Sequence, residues 1–118
     1  MKIKYISFGD AGRLEEERIG FRVIEPCDLK FFAVYHTIKT ENGFYNRPEH
    51  VFWFYPKTVE AGDEIVLYTK DGTDSIEERG DHKVHFIYWG LKNPILKKGD
   101  CIVLSEIKDW SVNCFENM

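Results

Sequence analysis

Apolar residues recur at every second position along this chain, in short runs that turn-forming residues interrupt about every ten residues. No stretch sustains the 3.6-residue period of an amphipathic helix. Ile19, Phe21 and Val23 share one side of a segment that Pro26 ends, because proline cannot donate to a strand ladder. Leu29, Phe31, Ala33 and Tyr35 alternate with Phe32, Val34 and His36, so both faces of the run Leu29 to Ile38 are largely apolar, as in an inner strand. The same alternation predicts strands at Ile3 to Phe8, Arg18 to Glu25, His50 to Tyr55, Glu64 to Thr69, Lys83 to Trp89 and Cys101 to Ile107, with a last short one between Trp110 and Phe115. Leu14 to Arg18 has room for one turn of helix. Lys70 to Gly80 is polar, carries two glycines and reads as a long exposed loop. Seven or eight short strands in this spacing predict an all-β sandwich or barrel rather than βαβ units.

The length of 118 residues fits one domain over 1–118 and allows a core without metals or disulfides. A hydrophobic share of 43% with 31% charged residues is ordinary globular usage, and the high aromatic share of 15% leans toward sheet. The formal net charge of −4 and the lack of a basic cluster argue against nucleic acid as a partner. The run Glu15-Glu16-Glu17 is followed at once by Arg18 and reads as a solvated turn. No run approaches the ~20 apolar residues of a membrane span. Met1 leads into the strand-like Lys2-Ile3-Lys4-Tyr5-Ile6 rather than an apolar leader, so the expectation is a cytoplasmic protein without a membrane partner. Cys27, Cys101 and Cys114 form neither a CxxC pair nor an even framework, and Cys101 sits in an apolar run.

The second half carries an ordered set of motifs: Phe54-Tyr55-Pro56, then Thr58-Val59-Glu60-Ala61-Gly62-Asp63 before Ile65-Val66-Leu67-Tyr68, then Phe86-Ile87-Tyr88-Trp89-Gly90, and last Lys98-Gly99-Asp100-Cys101-Ile102-Val103-Leu104. Over about 51–107 this order resembles the lamin-tail domain family, in a divergent, stand-alone, bacterial-type form. No heptads precede it, unlike the tail of a filament protein. The resemblance implies an immunoglobulin-like two-sheet sandwich with an accessory or interaction role and no shared catalytic residues. Independently of it, Gly62 and Gly99 each precede an Asp that opens a strand, where a turn with positive φ is expected. Trp89 before Gly90 is expected to plug the core.

The candidate interaction surface is the aromatic cluster Phe44, Tyr45, Arg47, His50, Phe52 and Phe54. A strand reading His50-Val51-Phe52-Trp53-Phe54-Tyr55 has two apolar faces. Only one can enter the core, so the other meets a partner or a second copy unless tail residues such as Trp110 and Phe115 cover it. The expected role is therefore non-catalytic: an interaction module with an unknown protein partner or self-association. One alternative is a small-ligand or carbohydrate-binding module using Tyr45, Trp53 and Trp110. Another is a small enzyme pairing His50 or His85 with a carboxylate. No cofactor and no catalytic or metal-ligating residue is assigned. His82 and His85, beside the acidic 71–81 segment, fall on opposite faces of their strand, and His36 and His50 read as separate strand-borne histidines.

Overall fold

The computed structural model describes residues 1–116. These residues form eleven strands, in two main sheets and one ribbon: β1 (Ile3–Gly9), β2 (Arg18–Val23), β3 (Cys27–Asp28), β4 (Phe32–Thr40), β5 (Gly43–Phe44), β6 (His50–Trp53), β7 (Thr58–Val59), β8 (Glu64–Lys70), β9 (Ser75–Arg79), β10 (His82–Leu91) and β11 (Asp100–Glu106). The first sheet has the order β1-β2-β8-β10-β9. In the second, β4 is the centre, flanked by β11 on one side and by β5 and β6 on the other. β3 and β7 form a separate two-stranded ribbon. The fold is an all-β sandwich.

Alternation explains the layers. Ile19, Phe21 and Val23 of β2 are buried, as are Ile65 and Leu67 of β8, while the residues between them are more exposed. From the other sheet Phe32 and Val34 of β4, with Phe52 and Phe54, meet them in one hydrophobic cluster. Phe21 and Phe54 touch edge to face across the sheets, with ring centroids 6.4 Å apart. β8 and β10 run parallel although they are nearly consecutive. The chain leaves β8, returns along β9 and turns at Gly80 into β10, which inserts between the two. Near its end β10 carries a bulge over Trp89-Gly90, where Gly90 takes φ of 86°. Such bulges re-aim a side chain, and Trp89 packs against Phe52 of the facing sheet at 5.7 Å. Gly62 and Gly99 have φ of 91° and 94°, as their turns require.

Several expectations are corrected. Leu29 to Phe31 is not strand but a turn of 3-10 helix capped by Asp28, whose carboxylate accepts from Lys30 N at 2.9 Å. Residues 70–80 are not all loop: they contain β9, an edge strand whose five residues are all exposed. Charged edge positions protect a sheet against unwanted pairing and hide the apolar alternation that signals a strand. Residues 107–116 form no strand. Residues 14–17 form a hydrogen-bonded turn and no helix. No helix among the described residues is long and apolar enough to cross a membrane.

Candidate metal centre

The inner face of the second sheet changes character along its length. From β4 it presents Phe32, Val34 and then His36. β6 contributes His50 and Phe52, and β11 brings Asp100, Ile102 and Leu104. Register puts His36 opposite both His50 and Ile102, with Asp100 opposite Ile38. The apolar filling therefore ends in two histidines and a carboxylate at one mouth of the sandwich. Trp89 forms the boundary, its ring edge-to-face with His50 at 6.5 Å.

The His36 and Asp100 side chains are 5% and 4% exposed, and His36 Nε2 lies 2.6 Å from Asp100 Oδ2. A carboxylate only accepts, so the hydrogen-bond network places the proton on His36 Nε2. In the neutral ring this leaves a lone pair on Nδ1, which accepts from His50 Nδ1–H at 3.0 Å, a proton that a bound metal ion would displace. Glu49 precedes His50, and its backbone N–H donates to His36 O at 2.9 Å. One ligand atom from each of His36, Glu49 and His50 falls within a common 4.8 Å. Two donors on one ion at ~2.1 Å are at most ~4.2 Å apart, and Glu49 is the exposed member of the three. The histidine pair needs little adjustment. At metal–nitrogen distances of ~2.0–2.1 Å its 3.0 Å separation subtends about 90–97°, a cis angle of six-coordination, while a tetrahedral ion needs about 3.3–3.4 Å. Two imidazoles and a carboxylate are a donor set for Zn, Fe(II), Co, Ni or Cu.

The three donors stand on one wall of a cleft of about 330 Å³. The cleft is lined as well by the β10–β11 connection, which contributes Lys92, Asn93 and Lys97. Glu17 pins this connection from beneath. Its fully buried carboxylate accepts from Ile95 N and Leu96 N, both at 2.9 Å, and from Gly12 N and Thr69 Oγ1. Burial pushes the Glu17 carboxyl up, but these four donors outweigh it and hold it below its ordinary value.

The structure divides the aromatic cluster marked in the sequence. Phe44, Tyr45 and Arg47 are exposed, the first two beside an apolar pocket of about 220 Å³ shared with Tyr35, Pro48 and Val103. His50 belongs to the cleft. Phe54 is buried and Phe52 packs against the core, so neither belongs to an outer surface. Val51, Trp53 and Tyr55 take the outward positions instead. Trp110 from the tail packs on Trp53 and Phe31 at 5.1 and 5.7 Å and covers part of that row. His85 is buried against Asp63, whereas His82 faces out toward Asp81 and Glu64. Of the two histidines marked with a carboxylate partner, His50 lies beside Glu49 and His85 beside Asp63.

The pairing of His36 with His50 was missed by sequence reasoning. A signal existed: His36 is in phase with Phe32 and Val34, and His50 with Phe52 and Phe54, so both lie on the apolar side of their strands. Glu49 and Asp100 carried no such signal, since Glu49 lies just before its strand and Asp100 follows the Gly99 turn. Comparison with family models, with curated proteins and with solved structures gave no match.

Proposed function

We propose that this protein is a β-sandwich binding module whose working part is a divalent transition-metal site made by His36, His50 and Glu49. The observation that carries this reading is the approach of two Nδ1 atoms to 3.0 Å while Asp100 holds the far nitrogen of His36. A carboxylate behind a ligating imidazole fixes its tautomer and orientation and raises its basicity. The reading assigns binding, and no catalytic step, to the site.

Calorimetric titration of the full chain with zinc tests it. One ion per chain is expected, with affinity at least ~100-fold lower in His50→Ala, because a lost ligand costs more than the 10–100-fold of a lost outer partner. Cobalt in place of zinc should give a visible spectrum without thiolate charge-transfer bands, which separates this site from the three free cysteines. Absence of binding, or undiminished binding in His50→Ala, overturns the reading.

A second reading, a non-catalytic interaction module of the lamin-tail-like kind, is favoured by the outward row Val51, Trp53 and Tyr55, of which Tyr55 is 81% exposed. Light scattering on wild type and Tyr55→Ser tests self-association through that row. A dimer that dissociates in the variant supports it, and a monomeric wild type removes the second copy as the occupant.

A further inference from the structure

Resting on the metal reading above, we propose that the cleft captures an anionic oxygen ligand, a phosphate or carboxylate group, which completes the ion's coordination against a wall carrying Lys92 and Lys97. His36, His50 and Glu49 come from β4, β6 and the residue before β6, all on one side. An ion bound by three atoms would keep open positions, and residues 91–97 line the same cleft. The lining there is mixed: Leu91, Pro94 and Ile95 are apolar, while Lys92 and Lys97 supply donors only and Asn93 an amide.

That wall is built, not merely nearby. Ile95 and Leu96 are buried, and their N–H groups are held by the Glu17 carboxylate. Asp100 N donates to Lys97 O at 3.0 Å and Lys39 N to Gly99 O at 2.9 Å, which ties the far end of the connection to β4 and β11. Lys92 and Lys97 therefore stand on a backbone fixed beside the cleft, although their exposed side chains still lose rotamer freedom on meeting a ligand.

Charge selects the ligand class. Without metal, the carboxylates of Glu49 and Asp100 offset the ammonium groups of Lys92 and Lys97. A divalent ion leaves the cleft with two positive charges in excess, in a chain whose formal net charge is −4. An anion offsets one or both of those charges and gains both a metal bond and charge-assisted hydrogen bonds, whereas a neutral ligand gains only the first. The same accounting makes the anion site metal-dependent, and linkage makes the coupling reciprocal.

The test uses the full chain loaded with cobalt and dialysed free of excess ion, titrated separately with inorganic phosphate and with acetate. Either anion is expected to shift the visible cobalt bands saturably. In the double variant Lys92→Gln, Lys97→Gln the phosphate affinity should fall ~10-fold, within the usual 5–150-fold range of coupling between sites. Metal-free protein should bind neither anion. The tighter of the two anions identifies the source, phosphate or carboxylate. Cobalt that binds but keeps its spectrum in both anions overturns the inference and leaves the metal reading standing. An anion response unchanged in the double variant overturns the role of the lysine wall. Failure of cobalt to bind overturns the metal reading itself, and this proposal with it.

Discussion

Two buried histidine–aspartate pairs occupy this sandwich, one on each sheet, and they do different work. His85 Nε2 meets Asp63 Oδ2 at 2.9 Å, with side chains 3% and 4% exposed. Asp63 also accepts from Glu60 N at 3.1 Å and Lys83 N at 3.0 Å. Its oxygens are taken up in closing the turn before β8 and tying it to β10. The second nitrogen of His85 is buried without a partner. On the other sheet His36 Nε2 meets Asp100 Oδ2 at 2.6 Å with similar burial, yet its second nitrogen faces His50, Glu49 and the cleft. The same two residue types make a clamp where backbone N–H groups surround the carboxylate. In the proposed site they make a ligand, where the second imidazole nitrogen meets His50 and the cleft.

The largest expected effect separates the pairs by function. Asp100→Asn should cost ~10–100-fold in zinc affinity by calorimetry, as loss of an outer carboxylate does, while Asp63→Asn should leave it within about twofold. Equal losses in both variants would erase the distinction between clamp and ligand. Stability should show the reverse ranking. Asp63→Ala orphans three donors and should cost ~3 kcal/mol or more in denaturant unfolding, against a smaller cost for Asp100→Asn, which keeps an acceptor for His36.

Acid unfolding sharpens the comparison further. Burial pushes the Asp63 carboxyl up, but the hydrogen bond from His85 and the two backbone donors outweigh it and hold it below its ordinary value of 3.8. Glu17 is likewise held below its ordinary 4.5. A group whose folded value is depressed stabilises fully above its unfolded value and loses that contribution as pH falls through the folded one. Stability should therefore begin to fall below about pH 4.5 for Glu17 and about 3.8 for Asp63, where the unfolded chain takes up the protons, and keep falling until the lower folded values are passed. In Glu17→Gln and Asp63→Asn this acid limb should flatten, read as the unfolding midpoint against pH. An unchanged slope would mean that these carboxylates do not govern the acid limb. The smallest effect belongs to His82, which meets Asp81 at 3.0 Å on the exposed face. His82→Ala should leave the unfolding midpoint unmoved, because exposed ion pairs contribute little.

The fold was largely legible. Period-two alternation placed β1, β2, β8, β10 and β11 within a few residues of their observed bounds, and the glycine turns at 62 and 99 were anticipated from the following aspartates. β9 was not legible, because five exposed residues rich in charge carry no apolar face. The aromatic strand presented two faces of equal apolarity, so only the structure could choose Phe52 and Phe54 as the inner ones. The site was half legible: His36 and His50 were visibly on apolar faces, but nothing marked them as neighbours.

What the sequence determined by itself is the local matter: which residues form strands, where turns break them, and that a chain of this composition buries a core between sheets. Side-chain period and turn chemistry are properties of adjacent residues and need no knowledge of the rest. What only the tertiary structure decided is which groups meet. His36 and His50 are 14 positions apart, and His36 and Asp100 are 64 apart. Their contact depends on the pairing of β4 with β6 and β11 in one register. A slip of one residue would turn every inward side chain outward and dissolve the site.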